Sequence, residues 1–348
     1  MEMSKASISV GVVTALSLLL LQTMAHAQET LTIATYGGAW AKALSEAALK
    51  PIAKTLGITI KEVTISSANE VKLQVNAGAV AIDIVDMGAF DCELGAKQAL
   101  WEKLDYGRVD ATSLDPSLVN EYWVGGPSYY STVLAWSKKK YGDNPPKNWA
   151  DFWDVKKFPG TRAFRNNPVG TLEFALIADG VAPDRLYPLD VDRAFAKLRE
   201  IKPYITVWWG SGAQSAQLLH DGEVDMLSIW NGRVSTVIAN GAEVAFTYNQ
   251  AQLNADCMVI PRGSKNKELA EKVINLILTP ELQANLPALI DYGPVNPNAF
   301  ELGKITSKQA AASNSSPENA KYQTLLRFDW WGENLAAIQP RWDAFIRE

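Results

Sequence analysis

Short apolar blocks alternate along the chain with longer stretches in which apolar residues return every three or four positions, the pattern of strands alternating with amphipathic helices. Residues 31–35, 59–65 and 82–87 read as strands. Trp40, Leu44, Ala47 and Ala48 fall on one helical face between the first two, and residues 71–77 form a second helix stopped by Gly78. A second block opens at residues 129–136, rich in β-formers, and passes through a loop at 142–148 to a strand at 161–164 and a helix at 171–178. Val191, Ala194, Phe195 and Leu198 keep the spacing of a buried helical stripe, and residues 207–209, 226–230 and 244–248 supply further strands. After a short strand at 256–260, Ala270, Val273, Ile274 and Ile277 mark another helix, and Pro280 opens the next. The pattern then breaks at 292–297 as a linker would, and a small, polar stretch at 310–318 reads as a surface loop. Two helices, at about 320–328 and 333–346, close the chain. The alternation predicts α/β layering with largely parallel sheets.

The apolar stretch at residues 8–21 is of another kind. It follows the basic Lys5 and precedes Ala25-His26-Ala27, so residues 1–27 read as a secretory leader cleaved after about Ala27. The rival reading, a stop-transfer anchor, requires about 20 apolar residues, more than the stretch holds. No later stretch is long and apolar enough to cross a membrane, which predicts a mature protein soluble outside the cytoplasm. Residues 28–348 exceed what one core usually supports, and two lobes are expected.

The net charge of −5 and the lack of any basic run beyond Lys138-Lys139-Lys140 argue against a nucleic-acid partner. That lysine run reads as a solvated loop entry. Cys92 and Cys257 are the only cysteines; an oxidising compartment permits one bridge, and the sequence leaves open whether their Cα atoms come within about 7 Å. Outside the leader the one histidine is His220, placed like a helix C-terminal residue before Gly222, so zinc chemistry has almost no ligands. Neither a metal nor a cofactor is expected.

Enzyme templates fail as well. There is no phosphate-binding Walker loop and no GxSxG elbow, and Gly210-Ser211-Gly212 lacks a histidine base, so no catalytic residue is assigned. Glycines and aromatics instead gather at the C-terminal ends of predicted strands, where ligands of open α/β sheets bind. Tyr36-Gly37-Gly38, Gly88 with Phe90, Trp209 with Ser211, and Trp230-Asn231-Gly232 occupy four such ends. Glycines there let a ligand approach backbone amides, while indoles and phenols offer flat contacts.

Several stretches resemble the periplasmic solute-binding proteins of ABC importers, of the spermidine/putrescine-binding type. They are Gly222-Glu-Val-Asp-Met-Leu-Ser-Ile-Trp230-Asn-Gly232, Asp256-Cys-Met-Val-Ile-Pro261, Tyr292-Gly-Pro-Val-Asn-Pro297, Asn148-Trp-Ala-Asp-Phe-Trp153 and Asp329-Trp-Trp331. The resemblance covers essentially the whole mature chain. It implies a two-lobed α/β periplasmic binding protein-like fold, type II, with crossover hinge strands near residues 131–134, 250–257 and 296–300. Lobe 1 would then comprise residues 28–130 plus 257–297, and lobe 2 residues 131–256 plus 298–348. The implied function is capture of a small amine-bearing solute, polyamine-like or a related amino compound, and its delivery to a membrane permease. A monomer is expected.

The resemblance also places a stacking tryptophan at Trp230, an amine-binding aspartate at Asp256 and a third site position at Tyr292, with Tyr36, Gly88, Phe90 and Trp331 lining the pocket. A cation over an indole gains roughly 0.5 to 2 kcal/mol, and a charge-assisted bond to Asp256 would fix the amine. Departures from the family pattern bear on the solute. Arg165-Asn-Asn-Pro-Val-Gly-Thr171 replaces a more acidic segment, Glu173 reads as complementing a helix N-terminus, and Asn254 stands where a second aromatic is usual. With Arg165 or Arg233 nearby, the pocket suits a monoamine, an amino acid conjugate of opine type or a zwitterion as well as a polyamine. An anion or ferric ion receptor on the same scaffold is the alternative, with Tyr129-Tyr130 as a tyrosine pair or, more simply, a half-exposed strand.

Overall fold

Ten strands join into one sheet in the computed structural model, which describes residues 29–65 and 67–348. The leader expected at residues 1–27 lies outside the described residues. The strands are β1 (Thr30–Thr35), β2 (Thr59–Thr64), β3 (Ile84–Gly88), β4 (Val124–Ser137), β5 (Arg162–Arg165), β6 (Ile205–Trp209), β7 (Met226–Trp230), β8 (Val244–Val259), β9 (Gly293–Pro294) and β10 (Thr324–Leu325). Their order is β2-β1-β3-β8-β4-β7-β5-β6, with β9 on β4 and β10 on β8.

Parallel pairing runs through the two ends, β2-β1-β3 and β7-β5-β6, and recurs where the short β10 joins β8, while β8 and β4 run antiparallel to each other and to β3 and β7. The expected largely parallel sheet is therefore corrected to a mixed one. Two parallel α/β halves share a central antiparallel pair because β4 and β8 each travel from one half to the other. The apolar strands β3 and β7 are buried along nearly their whole length, as strands covered on both faces must be.

The strands read separately at 244–248 and 256–260 are the two ends of a single strand of 16 residues. Its middle gives no alternation to read, because Ala251, Gln252, Asn254 and Ala255 are all buried. Its pairing with β4 shifts register between Gly125 and Tyr129 and again between Thr132 and Leu134. Such irregularities bend and twist a ladder.

The C-terminal region differs most from expectation. A single helix, Phe328–Arg347, replaces the two predicted, and it buries Phe328, Trp331, Ile338, Trp342 and Phe345 despite an internal Pro340. Residues 320–327 stay largely non-helical because the Gln323 amide donates to the carbonyls of Asn314 and Asn319, and Thr324–Leu325 pairs with β8. That long helix touches both halves: Phe328 packs edge-on to Trp123 at 6.4 Å, while Trp342 Nε1 donates to Asn166 Oδ1 at 3.0 Å.

The predicted surface loop at 310–318 is also corrected. Ser307–Ala312 is a helix with a Thr306/Gln309 capping box, and Ser313, Asn314 and Ser316 that follow are buried. Asn314 accepts from Gly293 N at 2.7 Å and donates to Ser131 Oγ at 3.0 Å, so this polar side chain is satisfied internally rather than by solvent. The break at 292–297 contains β9, and the turn Pro297–Phe300 that follows is held to the first half by Asn298 Nδ2 donating to Ser113 Oγ at 3.2 Å. Cys92 and Cys257 form a disulfide with their Cα atoms 6.5 Å apart.

Candidate ligand-binding site

Two sets of three parallel strands, β1 to β3 and β5 to β7, point their C-terminal ends at one cavity of about 430 Å³. Tyr36, Gly37, Trp40, Ile65, Gly88 and Asp91 wall it from the first half. Arg165, the turn from Gly210 to Ala213, Trp230 and Arg233 wall it from the second, and Tyr130, Asp256 and Tyr292 lie between.

On the first wall, β1 turns at Gly37 and Gly38, whose φ angles of 72° and 68° lie in the left-handed region that favours glycine. A Cβ on Gly37 would also come within 2.9 Å of Thr64 Cγ2, so this turn has room only for glycine. The helix Gly38–Leu44 then carries Trp40, whose ring packs 5.7 Å from that of Tyr292. Trp40 Nε1 donates to Asp86 Oδ2 at 2.6 Å.

On the second wall, β7 ends at Trp230 and the helix Asn231–Ala239 begins. Asn231 is buried, accepting from Ser131 N at 2.8 Å and donating to the Asp291 carbonyl at 2.7 Å, which ties this turn to β4 and to the neighbour of Tyr292. Gly232 admits the Tyr292 ring, since a Cβ there would sit 2.5 Å from it. Trp230 meets Tyr130 and Trp209 edge-on at 6.1 and 5.6 Å, and the Arg165 guanidinium lies 5.2 Å from its ring. The helix Gly212–His220 opens onto the cavity, with Ser211 Oγ accepting from Gln214 N at its first turn.

Acids and bases come from opposite sides. Asp256 accepts from Ser128 Oγ at 2.7 Å, and burial pushes its carboxyl up to about 7 against that bond. Asp91 accepts from Tyr36 Oη at 3.1 Å, and burial raises it while the Tyr36 bond and Arg165 pull it down. Burial, then the Asp91 charge, raise Tyr36 in turn. Behind them Asp86 is 1% exposed, and burial followed by the Asp256 charge raise it against the Trp40 bond. Its second oxygen has no partner among the described residues. Facing these acids, Arg233 Nε and Trp230 Nε1 are buried N–H groups that also have none. A site of this kind offers anion-seeking donors on one wall and amine-seeking acceptors on the other.

Of the residues singled out in the sequence, Tyr36, Gly37, Gly88, Ser211, Trp230, Asp256 and Tyr292 line the cavity. Gly38, Phe90, Trp209 and Trp331 do not. Gly38 forms the turn behind Gly37, and Phe90 packs on the core. Trp209 is fully buried and donates to the Ser228 carbonyl, buttressing Trp230 from behind. Trp331 is fully buried and donates to Glu173 Oε1 at 2.6 Å. Glu173 also accepts from Gly170 N, near the helix start it was expected to complement.

Sequence reasoning passed over Trp40, Ile65 and Asp91, and read Tyr130 as half-exposed strand, whereas its ring stands between Trp230 and Tyr292. Asp91 had a signal available, an acid beside Phe90 at a strand end. Trp40 had none, because it shares the stripe of core residues Leu44, Ala47 and Ala48. Tyr129 is buried in the core away from Tyr130's position, and no group of three or more metal-ligating side chains occurs among the described residues.

Residues 40–313 match the family described as bacterial extracellular solute-binding protein. The chain is 33% identical over 326 residues to the gamma-aminobutyric acid-binding protein of Pseudomonas aeruginosa, covering 91% of each. Among solved structures it is 50% identical to an ABC transporter substrate-binding protein from Bradyrhizobium japonicum USDA 110, with a TM-score of 0.89 over 91% of this chain and 99% of that one. It is 39% identical to the binding protein MotA from A. tumefaciens B6 in complex with glucopine, with a TM-score of 0.84 over 91% and 99% of the two chains. The spermidine/putrescine-binding periplasmic protein of Escherichia coli is more distant, at 24% identity over 325 residues and 90% of each chain. These relatives bind solutes and are not enzymes. The chain belongs to the bacterial extracellular solute-binding proteins, two-lobed α/β receptors that pick up a small solute for the membrane permease of an ABC transporter.

Proposed function

We propose that this receptor captures a small zwitterion in the periplasm, a compound bearing an ammonium and a carboxylate a few bonds apart, and closes on it about β4 and β8. The observation that carries this reading is the opposition of Arg165 and Arg233 on the second wall to Asp91 on the first and Asp256 on the strand between them. The solute's ammonium goes to Asp256 and Asp91 among the rings of Tyr36, Tyr130 and Tyr292. Its carboxylate goes to Arg233 and Arg165, with the first amides of the helix Gly212–His220 adding donors. Each charge-assisted bond is worth roughly 1.5 to 3 kcal/mol net.

Gamma-aminobutyric acid, named for one relative, carries both groups. A polyamine satisfies the acids but brings further positive charge towards the two arginines, which disfavours it. The lobes proposed to move are residues 28–130 plus 257–297 and 131–256 plus 298–348, with the helix Phe328–Arg347 touching both.

Calorimetric titration of the purified receptor with 4-aminobutanoate, longer ω-amino acids, opine conjugates, putrescine and spermidine tests this. Binding by zwitterions, lost in Arg233→Ala, is expected. Binding by putrescine or spermidine with no response to any zwitterion would sink it.

A further inference from the structure

Asp86 is a buried carboxyl that the capture of a zwitterion does not use directly, and its position behind Asp256 gives it another role. β3 and β8 run antiparallel with Gly88 opposite Asp256 and Asp86 opposite Met258. Directly opposed residues face the same side of a sheet, and so do residues two apart along a strand. Asp86, Gly88, Asp256 and Met258 therefore share a face, and the two carboxyls are diagonal neighbours across the pair of strands. That face is the site's: a Cβ on Gly88 would stand 3.4 Å from Tyr130 Oη and 3.7 Å from Asp91 Oδ2.

The surroundings supply too little to hold two negative charges. Asp86 takes one N–H, from Trp40, and leaves its other oxygen unpartnered; Asp256 takes one hydroxyl, from Ser128. Tyr130 and Tyr292 face the pair from β4 and the turn before β9, and Asp91 with Tyr36 faces it from the first wall. Arg165 and Arg233 stand across the cavity, and neither carboxyl has an ion-pair partner among the described residues. Two neighbouring carboxyls, one wholly buried and one half-buried at the cavity wall, cannot both ionise cheaply.

We infer that Asp86 and Asp256 hold one proton between them in the empty cleft, and that the arriving ammonium displaces it to solvent, so that solute capture releases a proton. The ammonium keeps its own protons; the pair gives up the one it shared and becomes the counter-charge. This rests on the zwitterion reading for where the amine goes, but the state of the empty cleft does not. The direction of the carboxyl shifts agrees: burial raises both, and the Asp256 charge raises Asp86 further.

The deciding measurement uses the solute-free receptor labelled with carbon-13 at the aspartate carboxyls, followed by NMR from pH 4 to pH 9. One carboxyl signal is expected to remain protonated until near or above neutrality, and to move back towards the ordinary aspartate range in Asp86→Asn. If every aspartate of the wild-type protein ionises below about pH 5, the usual range for the group, the shared proton is refuted whatever binds. For 4-aminobutanoate, calorimetry at pH 6.5 in buffers of different ionisation enthalpy should report release of close to one proton, and affinity should fall up to tenfold per unit of acidification. Binding with no proton release overturns the coupling. If 4-aminobutanoate and the rest of the zwitterion panel fail to bind, the proposed solute class fails, and the carboxyl titration still decides the shared proton.

Discussion

Removing the disulfide should cost this receptor a large part of its stability and also loosen its acidic wall. Cys92 and Cys257 are fully buried and lie 165 residues apart in the chain, so a Cys92→Ala/Cys257→Ala variant frees a very long loop in the unfolded state. In the chain-entropy treatment a loop of that length corresponds to roughly 5 kcal/mol, against a typical total of about 5 to 15. With a urea dependence near 3 kcal/mol per molar, the unfolding midpoint should fall by about 1.7 M. Equilibrium unfolding by tryptophan fluorescence, in matched samples of both proteins, reads this directly. A loss under about 1 kcal/mol would show that the unfolded chain already keeps these segments together, and would refute the entropic reasoning. The bridge has a second effect because each cysteine follows a site carboxylate: Asp91 precedes Cys92 and Asp256 precedes Cys257. It fastens the helix Ala89–Lys97 to β8 beside both acids, so the variant should also bind its zwitterion more weakly. Unchanged affinity would mean that packing alone aligns them.

Four other substitutions separate binding from folding. Gly212→Ala should cut affinity at least tenfold with little change in melting temperature, because the new methyl would sit 2.6 Å from the Trp230 ring and 3.0 Å from Arg233 Nε; full retained affinity would show that both side chains can yield. Trp230→Ala should abolish binding measured by calorimetry while circular dichroism stays native, and retained affinity would remove it from the site. Asn314→Ala leaves the buried Gly293 N–H without its acceptor and should lower stability by about 1 to 3 kcal/mol in urea melts, with a loss below half a kcal/mol counting against a sealed seam. Asp256 has a folded-state pKa of about 7, above its unfolded value, so the folded protein binds more protons over the intervening range. The empty receptor should therefore lose stability as pH rises from about 4 towards 7, and Asp256→Asn should gain most over wild type at pH 8; equal melting temperatures for the two proteins at pH 8 would contradict this.

The alternation of apolar periods made the α/β halves and most of their strands legible, because those strands and helices bury one regular face each. What the periods could not show is where a strand changes hands between halves. β8 is buried through its middle on both faces, so its sequence reads as two strands with a gap. Polar composition misled at the buried Ser313, Asn314 and Ser316; at Asn314 long-range hydrogen bonds substitute for solvent. The site was half legible for a related reason. Glycines and aromatics at strand ends marked Tyr36, Gly88 and Trp230, but Trp209 and Trp331 carry the same chemistry and spend it on the Ser228 carbonyl and Glu173. Only geometry tells a ring that faces a cavity from one that faces a carboxylate in the core.

The seam of Ser131, Asn231, Asn314 and Gln323 lies where β4, β8 and β10 run side by side. A joint made of interlocked hydrocarbon has one preferred angle, since parted side chains forfeit their dispersion contacts. Amides and hydroxyls can trade one partner for another at nearly constant free energy. On the proposed closure about β4 and β8, such an axis would act as a bearing rather than a spring, and the angle between the halves would be left to whatever occupies the space they enclose.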